Sequence, residues 1–262
     1  MVTRNTGIDL WITKNIVRNS GESGLLMLDD SNCVVRSNTL DGNQQFGILC
    51  QGPQQATITS NEITGSKHAG VGVLRTACPM LRNNDIHDNA NGIHVSERGA
   101  GTIVNNNIHN ISPGVGITVS AGGDPIVSKN YLTDCKSGAI VAYNRAAGQI
   151  FQNWFKLMET PPAESWYHYG LGRVPNWVVV CDALPTKVNP LDAEAQKRYS
   201  TTEVRYNRGM APIVLSAAQA HDLYDYSSDE EDGAAMSDEE HTPRANRPGY
   251  IVKKYLPRAG AR

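Results

Sequence analysis

The sequence is poor in cysteine and lacks any long apolar run. Its cysteines are odd in number and widely spaced, without a CxxC pair: Cys33, Cys50, Cys78, Cys135 and Cys181. This pattern argues against a disulfide framework and against a zinc site built from cysteine pairs. A transmembrane helix needs a run of about 18 apolar residues, and no segment of the chain is that long. The first residues also lack the apolar core of a signal peptide. We therefore predict reduced thiols, no membrane partner and a location in the cytoplasm or nucleus.

Net charge and aromatic content are also low. Lys and Arg number 24 against 26 Asp and Glu, which gives a formal net charge of −2, and aromatic residues make up 6% of the chain. A near-neutral chain has no bulk attraction for polyanions, so nucleic acid is not an expected partner. The 262 residues, of which 40% are hydrophobic, suffice for one elongated domain with extra segments.

What the sequence has instead is an asparagine that recurs about every 23 residues. The successive gaps are 23, 23, 23, 22, 24 and 23 residues, between Asn15, Asn38, Asn61, Asn84, Asn106, Asn130 and Asn153. Apolar residues stand three before and two after each asparagine, as Ile12 and Val17 do around the first. A glycine about fourteen residues upstream opens a short apolar alternation in most copies. Such a period predicts stacked units that each bury an apolar face against the next.

These units resemble the right-handed parallel β-helix repeat family from Met1 to about Phe155. Two-residue alternations bounded by turn residues predict strands, and no unit has room for helical periodicity. The predicted fold is therefore all-β, a right-handed parallel β-helix of about seven coils. We interpret the asparagines as a structural ladder, because Asn tolerates the left-handed backbone of a tight corner and stacked amides can bond along the column. The resemblance implies no single function, since the family includes pectin-degrading lyases, copper-accessory proteins and F-box-type ubiquitin ligase subunits.

Three segments are predicted along the chain. Residues 1–157 form the β-helix, residues 158–221 an irregular cap rich in large aromatic residues, and residues 222–262 a disordered tail, acidic and then basic. Within the cap, Trp177–Val180 is expected to add a last strand, and short helices are predicted over Leu191–Tyr199 and Ile213–Tyr224. Because Met1 falls where other coils have glycine, we expect a longer parent protein or a cover over the first coil.

The acidic tail contains candidate phosphorylation sites. Ser227, Ser228 and Ser237 each have a glutamate three residues later, which resembles the acidic-directed sites of casein kinase II. Phosphate there would add negative charge that an arginine cluster can bind. The alternative interpretation is a solvated spacer that is never modified.

The first strand of each coil is predicted to carry an apolar stripe on its outer face. The outward row is Thr3, Leu26, Leu49, Gly72, His94, Thr118 and Ile140. The candidate binding surface within and beside that row consists of Leu26, Leu49, Leu74 and Ile140. Exposed stripes of this kind are usually covered, either by the aromatic segment of the chain itself or by a partner protein.

A second candidate site follows the asparagines. His87 and His109 occupy equivalent positions on adjacent coils, with Asp88 and Asp134 nearby, and such a group can hold a metal or transfer protons. These residues lie in a turn column where polar side chains are expected anyway, so we predict no catalytic residue, no metal and no cofactor. His68 and His94 are interpreted as solvated, and the outward aromatics Trp11, Tyr131 and Tyr143 are predicted not to form a column.

The sequence thus predicts a non-catalytic β-helix scaffold that binds other proteins and is regulated by phosphorylation of its tail. One alternative is a carbohydrate-binding or polysaccharide-cleaving β-helix, which would need columns of outward acids and aromatics. Another is a fragment of a ubiquitin-ligase substrate-recognition subunit, which would need an F-box upstream.

Overall fold

The computed structural model describes residues 1–4, 10–30, 32–156, 178–183, 202–205, 207 and 213–216. In these residues the chain forms 24 short strands and no helix. The first twelve are β1 (Val2–Arg4), β2 (Leu10–Thr13), β3 (Ile16–Arg18), β4 (Leu25–Leu28), β5 (Cys33–Arg36), β6 (Thr39–Asp41), β7 (Phe46–Gln51), β8 (Thr57–Thr59), β9 (Glu62–Thr64), β10 (Ala69–Leu74), β11 (Met80–Arg82) and β12 (Asp85–His87). The others are β13 (Ile93–Val95), β14 (Ala100–Val104), β15 (Asn107–Ile111), β16 (Ile117–Val119), β17 (Asp124–Ser128), β18 (Tyr131–Cys135), β19 (Ile140–Ala142), β20 (Gln149–Phe151), β21 (Trp154–Lys156), β22 (Val178–Ala183), β23 (Glu203–Arg205) and β24 (Ile213–Ser216).

Every third strand belongs to the same parallel sheet through the repeats, so each coil contributes one strand to each of three sheets. Sheet A has the order β1-β4-β7-β10-β13-β16-β19-β22-β24, sheet B the order β2-β5-β8-β11-β14-β17-β20-β23, and sheet C the order β3-β6-β9-β12-β15-β18-β21. This arrangement confirms the predicted all-β solenoid of parallel strands. The described residues contain no candidate for a membrane-spanning helix.

The core lies between the three sheets and is built from repeated positions. The residue three before each ladder asparagine points inward from sheet B, and all seven copies, from Ile12 to Ile150, are buried. Strand alternation places the flanking residues outside, as with Trp11 beside Ile12. Because consecutive coils pair in register, like positions stack on like positions along the rod.

The seven repeat asparagines form a hydrogen-bonded column at the corner between sheets B and C. Asn84, for example, accepts at Oδ1 from the backbone N–H and the Nδ2 of Asn61, at 3.0 and 2.9 Å. It donates from Nδ2 to the Ile58 carbonyl and to Oδ1 of Asn106, both at 2.9 Å. Each buried amide therefore finds its partners in the column and on a backbone carbonyl of the preceding coil.

The left-handed residue at this corner is the one before each asparagine, not the asparagine itself. These residues have φ of 53–56° and are Lys14, Ser37, Ser60, Asn83, Asn105, Lys129 and Gln152. The expectation that the ladder residue adopts the left-handed backbone is wrong. The asparagine instead leads directly into a strand of sheet C, with its side chain turned inward to the column.

Strands follow the regular repeat beyond Phe155, and β22 lies where a last strand is predicted at Trp177–Val180. Strand β22 pairs with β19 in sheet A, and β23 pairs with β20 in sheet B. A strand, β24, lies at Ile213–Ser216 within a segment for which a helix is predicted. The helix predicted over Leu191–Tyr199 lies outside the described residues, as do the tail and its Ser227, Ser228 and Ser237.

Candidate functional site

The outer face of sheet A carries the row in which the apolar stripe is predicted. The strand register gives this row as Val2, Leu26, Leu49, Gly72, His94, Thr118 and Val141. Thr3 and Ile140 do not belong to it, because both side chains are buried on the inner face. A register error of one residue moves a side chain to the opposite face of a strand. In the last coil, counting 12 residues back from Asn153 gives the outward Val141. Counting two residues on from Gly138 gives the inward Ile140.

Much of this stripe is covered from within the coils. Phe46, Leu49 and Ala69 form a small buried cluster against which Leu26 and Leu74 pack. The Phe46 ring stacks on His68 at a centroid distance of 4.6 Å, and His68 lies 5.9 Å from His94. Leu49 is thus buried in this cluster, and Leu26 and Leu74 are half-buried against it, whereas Val2 at the start of the row is strongly exposed.

The outer face of sheet B is different, since it has an uncharged row that remains exposed. The row consists of Trp11, Val34, Thr57, Met80, Thr102, Ile126 and Gln149. Three of its side chains are large and strongly exposed: Trp11 at 63%, Met80 at 46% and Ile126 at 43%. This row was not predicted, although each of its residues directly precedes an inward apolar residue in the sequence.

A second outward row of sheet B adds positive charge. It contains Thr13, Arg36, Thr59, Arg82, Val104, Ser128 and Phe151. Arg36 and Arg82 are exposed, and none of the residues named in the two rows carries a carboxylate. Sheet B therefore presents an apolar stripe flanked by two arginines.

The outer face of sheet C carries the acidic and imidazole groups. One row is Ile16, Thr39, Glu62, Asp85, Asn107, Tyr131 and Trp154. The other is Arg18, Asp41, Thr64, His87, His109, Thr133 and Lys156. The carboxylates of Glu62 and Asp85 are thus on the same face as the two histidines.

The structure brings His87 and His109 together, as their spacing predicts. Their rings stack with centroids 4.8 Å apart at an interplanar angle of 13°. Nε2 of His109 lies 3.0 Å from Oδ1 of Asp85, and Nδ1 of His87 lies 2.6 Å from Oδ2 of Asp88. Asp134 is not part of the group of ligand atoms within 4.8 Å of one another, whose carboxylate comes from Asp85.

The same face places two exposed aromatic side chains side by side. Tyr131 and Trp154 are register partners on neighbouring strands and are 42% and 51% exposed. The prediction that Trp11, Tyr131 and Tyr143 form no column holds for those three residues. It overlooked Trp154, which occupies the position equivalent to Tyr131 in the next coil.

Cys50 and Cys135 are buried thiols with a structural role. Burial raises the pKa of Cys135 to about 12, with the nearby Asp134 acting in the same direction. Burial also raises the pKa of Cys50 well above its usual range. Both side chains stay protonated and fill core positions. Cys78 is exposed and unpaired with any other cysteine.

Comparison with known protein families identifies the fold family of the regular repeats. A family model described as a right handed beta helix region matches residues 2–155. Neither the comparison with curated proteins nor the comparison with solved structures finds a match. The matched residues are those of the regular asparagine repeats.

Proposed function

We propose that this chain, which belongs to the right-handed β-helix family, is a non-catalytic scaffold that binds another protein along the outer face of sheet B. The observation that carries the proposal is the uncharged row that exposes Trp11, Met80 and Ile126 beside Arg36 and Arg82. Trp, Met and Arg are enriched in protein interfaces, and Trp and Arg dominate binding energies there.

The spacing of this row suits a partner that lies along the rod. Trp11 and Met80 are three coils apart, and Ile126 lies two coils beyond Met80. At about 4.8 Å per coil, the three anchors span roughly 24 Å. Because they stand on paired strands rather than on loops, little backbone entropy would be lost when a partner binds.

The charges of the face indicate the chemistry of the partner. The end of the face that holds the exposed Arg36 and Arg82 would favour a segment that combines apolar and acidic residues, whereas Asp124, two residues before Ile126 on β17, places a carboxylate at the other end. Phosphorylation at Ser227, Ser228 and Ser237 would give the chain's own acidic tail the same chemistry. We propose that the modified tail competes with the partner for Arg36 and Arg82, in the cytoplasm or nucleus.

Affinity purification with matched surface variants tests the docking face. Ile126→Glu places a charge in the proposed face, whereas Ile16→Glu makes the same change at an exposed position on sheet C. The proposal expects a protein that is recovered with the wild type and Ile16→Glu but lost with Ile126→Glu, and that binds directly when purified. Recovery that is equal for both variants would refute the face.

A second candidate function is carbohydrate binding on sheet C. The observation in its favour is the exposed Tyr131–Trp154 pair, which continues the row of Asp85 and Asn107. Aromatic rings offer an apolar face to a sugar ring. A carboxylate accepts hydrogen bonds from sugar hydroxyls, and a side-chain amide both donates and accepts them. Retention on immobilised polysaccharides that is lost in Trp154→Ala and kept in Ile126→Glu would favour this function over the first.

A further inference from the structure

We propose that the outer face of sheet C contains a binding site for a divalent transition metal, of the kind that zinc occupies, formed by Asp85, His87 and His109. One ligand atom from each of these residues lies within 4.8 Å of the other two. The site is separate from the proposed docking face, since its residues all belong to sheet C.

The strand register explains why the three side chains meet. Asp85 and His87 stand two residues apart on β12, so alternation places both on the outer face. His109 is the register partner of His87 on the neighbouring strand β15. Three side chains from two rigid, paired strands thus converge without any contribution from a loop.

One ligand pair is already at the spacing that one ion needs, and all three ligand atoms lie within 4.8 Å of one another. Zinc binds imidazole nitrogen and carboxylate oxygen at about 2.0 to 2.2 Å, so ligand atoms on one tetrahedral ion are roughly 3.4 Å apart. The observed separation of His109 Nε2 and Asp85 Oδ1 is 3.0 Å. Both histidine side chains are partly exposed, so an ion can enter from solvent after small side-chain rotations.

Neighbouring groups orient the proposed ligands. Asp88 holds Nδ1 of His87 at 2.6 Å, which leaves Nε2 of that ring for the ion. Nε2 lies 3.7 Å from Oε1 of Glu62, which can supply a further oxygen ligand. Asn107 donates from Nδ2 to Asp85 at 2.9 Å and steadies that carboxylate. A carboxylate on the far nitrogen of a ligating imidazole is a common arrangement around metal-binding histidines.

The donor set decides the class of ion. Two imidazoles with one carboxylate favour zinc and other late first-row transition metals, whereas calcium and magnesium prefer oxygen-only sites. Three protein ligands also leave a coordination position for Glu62 or for water.

Titration of the full chain with Zn²⁺ by calorimetry, and with Co²⁺ by visible absorption, tests the site. The double variant His87→Gln/His109→Gln should lose one bound ion and the absorption of tetrahedral Co²⁺. The control His68→Gln/His94→Gln removes a histidine pair on sheet A and should keep both. Asp88→Asn should weaken Zn²⁺ binding by about 10- to 100-fold, since it removes the group that orients His87.

Single substitutions keep the test decisive if the double variant misfolds. Asp85→Asn changes one exposed side chain and should also abolish the Co²⁺ absorption. Circular dichroism and thermal unfolding establish that each variant is folded. The site is overturned if folded Asp85→Asn or His87→Gln/His109→Gln binds Zn²⁺ as the wild type does, or if the sheet A control loses binding equally.

Discussion

Asn153 donates its backbone N–H and its Nδ2–H to Oδ1 of Asn207, both at 2.9 Å, although 54 residues separate the two. Asn207 in turn donates from Nδ2 to the Ile150 carbonyl at 3.0 Å. This is the bonding pattern of the seven repeat asparagines, so Asn207 acts as an eighth member of the ladder. The segment after Phe155 thus extends the solenoid, with longer connections between its strands.

Substitution of Asn207 should expose the end of the ladder. In Asn207→Ala the backbone N–H of Asn153 loses its acceptor, so its hydrogen exchange should become faster. The amide of Asn84, far along the column, should exchange as in the wild type. Exchange measured by NMR or mass spectrometry at both amides checks this. Unchanged protection at Asn153 would show that Asn207 does not continue the ladder in solution.

Substitution in the middle of the ladder should cost more stability. Asn84→Ala removes the two hydrogen bonds that Oδ1 accepts from Asn61 and the two that Nδ2 donates. The buried donors of Asn61 and the carbonyl of Ile58 lose a partner, whereas Oδ1 of Asn106 keeps the backbone N–H of residue 84. At about 1 to 3 kcal/mol for each unsatisfied buried group, we expect a loss of roughly 3 kcal/mol or more. Urea unfolding measures the loss. The exposed Asn107→Ala is the control and should lose less than about 0.5 kcal/mol.

Most of the fold could be predicted because one residue type marks every coil. The asparagine needs a buried column and the flanking apolar residues need a core, so their spacing specifies the stacked strands. Asn207 could not be predicted in the same way, since its position in sequence depends on the lengths of the connections that precede it. Ile140 was misplaced because Gly138 lies 15 residues before Asn153, whereas the equivalent glycine of the earlier coils lies 14 residues before its asparagine.

The candidate sites were predicted less well, because they depend on which side chains share a face across coils. The pairing of His87 with His109 followed from equal spacing to the ladder. Asp85 was overlooked because the rows that were compared are the third and fourth residues after each asparagine, and Asp85 is the first residue after Asn84. Phe46 shows a further limit, since a side chain that covers its neighbours cannot be identified from alternation alone.

The glycine that opens most coils is predicted to be essential where coils touch. A Cβ at Gly92 would fall on the carbonyl oxygen of Gly116 and lie 2.8 Å from Cγ2 of Ile108. Backbone atoms cannot move aside cheaply, so Gly92→Ala should destabilise the protein by about 3 kcal/mol. A Cβ at Gly21 would meet nothing within 4 Å. Gly21→Ala should therefore leave the urea midpoint unchanged, and equal effects of the two substitutions would contradict the packing.

Thiol labelling should separate the exposed cysteine from the buried ones. Cys78 is exposed, whereas Cys33, Cys50 and Cys135 are buried, and burial raises the pKa of Cys135 to about 12. Because the thiolate is the reactive form, a short pulse of iodoacetamide at about pH 8 should label Cys78 and spare those three. Peptide mapping by mass spectrometry gives the labelled positions. In urea all should react, and labelling of Cys135 in the native protein would argue against its buried position.

Acid should destabilise the protein partly through His94. Burial lowers the pKa of His94 below 6.5, and His68 acts in the same direction, while Glu97 opposes both. In the unfolded chain the imidazole titrates near 6.5, so on acidification the unfolded state takes up a proton before the folded state does. The free energy of unfolding should therefore fall as the pH drops through 6.5, until the folded imidazole also titrates.

The contribution of His94 can be isolated from that of other titrating groups. In His94→Gln the decline of the urea midpoint between about pH 7.5 and 5.5 should be shallower than in the wild type, whatever the absolute stability of the variant. His68→Gln should give a smaller change in the same direction, because it removes only the neighbouring charge and leaves the burial of His94. If the wild type and His94→Gln lose stability with the same slope, the folded protein must bind the proton as readily as the unfolded chain. In that case the half-buried ring of His94 would be fully hydrated, and the contacts of His68 with Phe46 and His94 would not persist in solution.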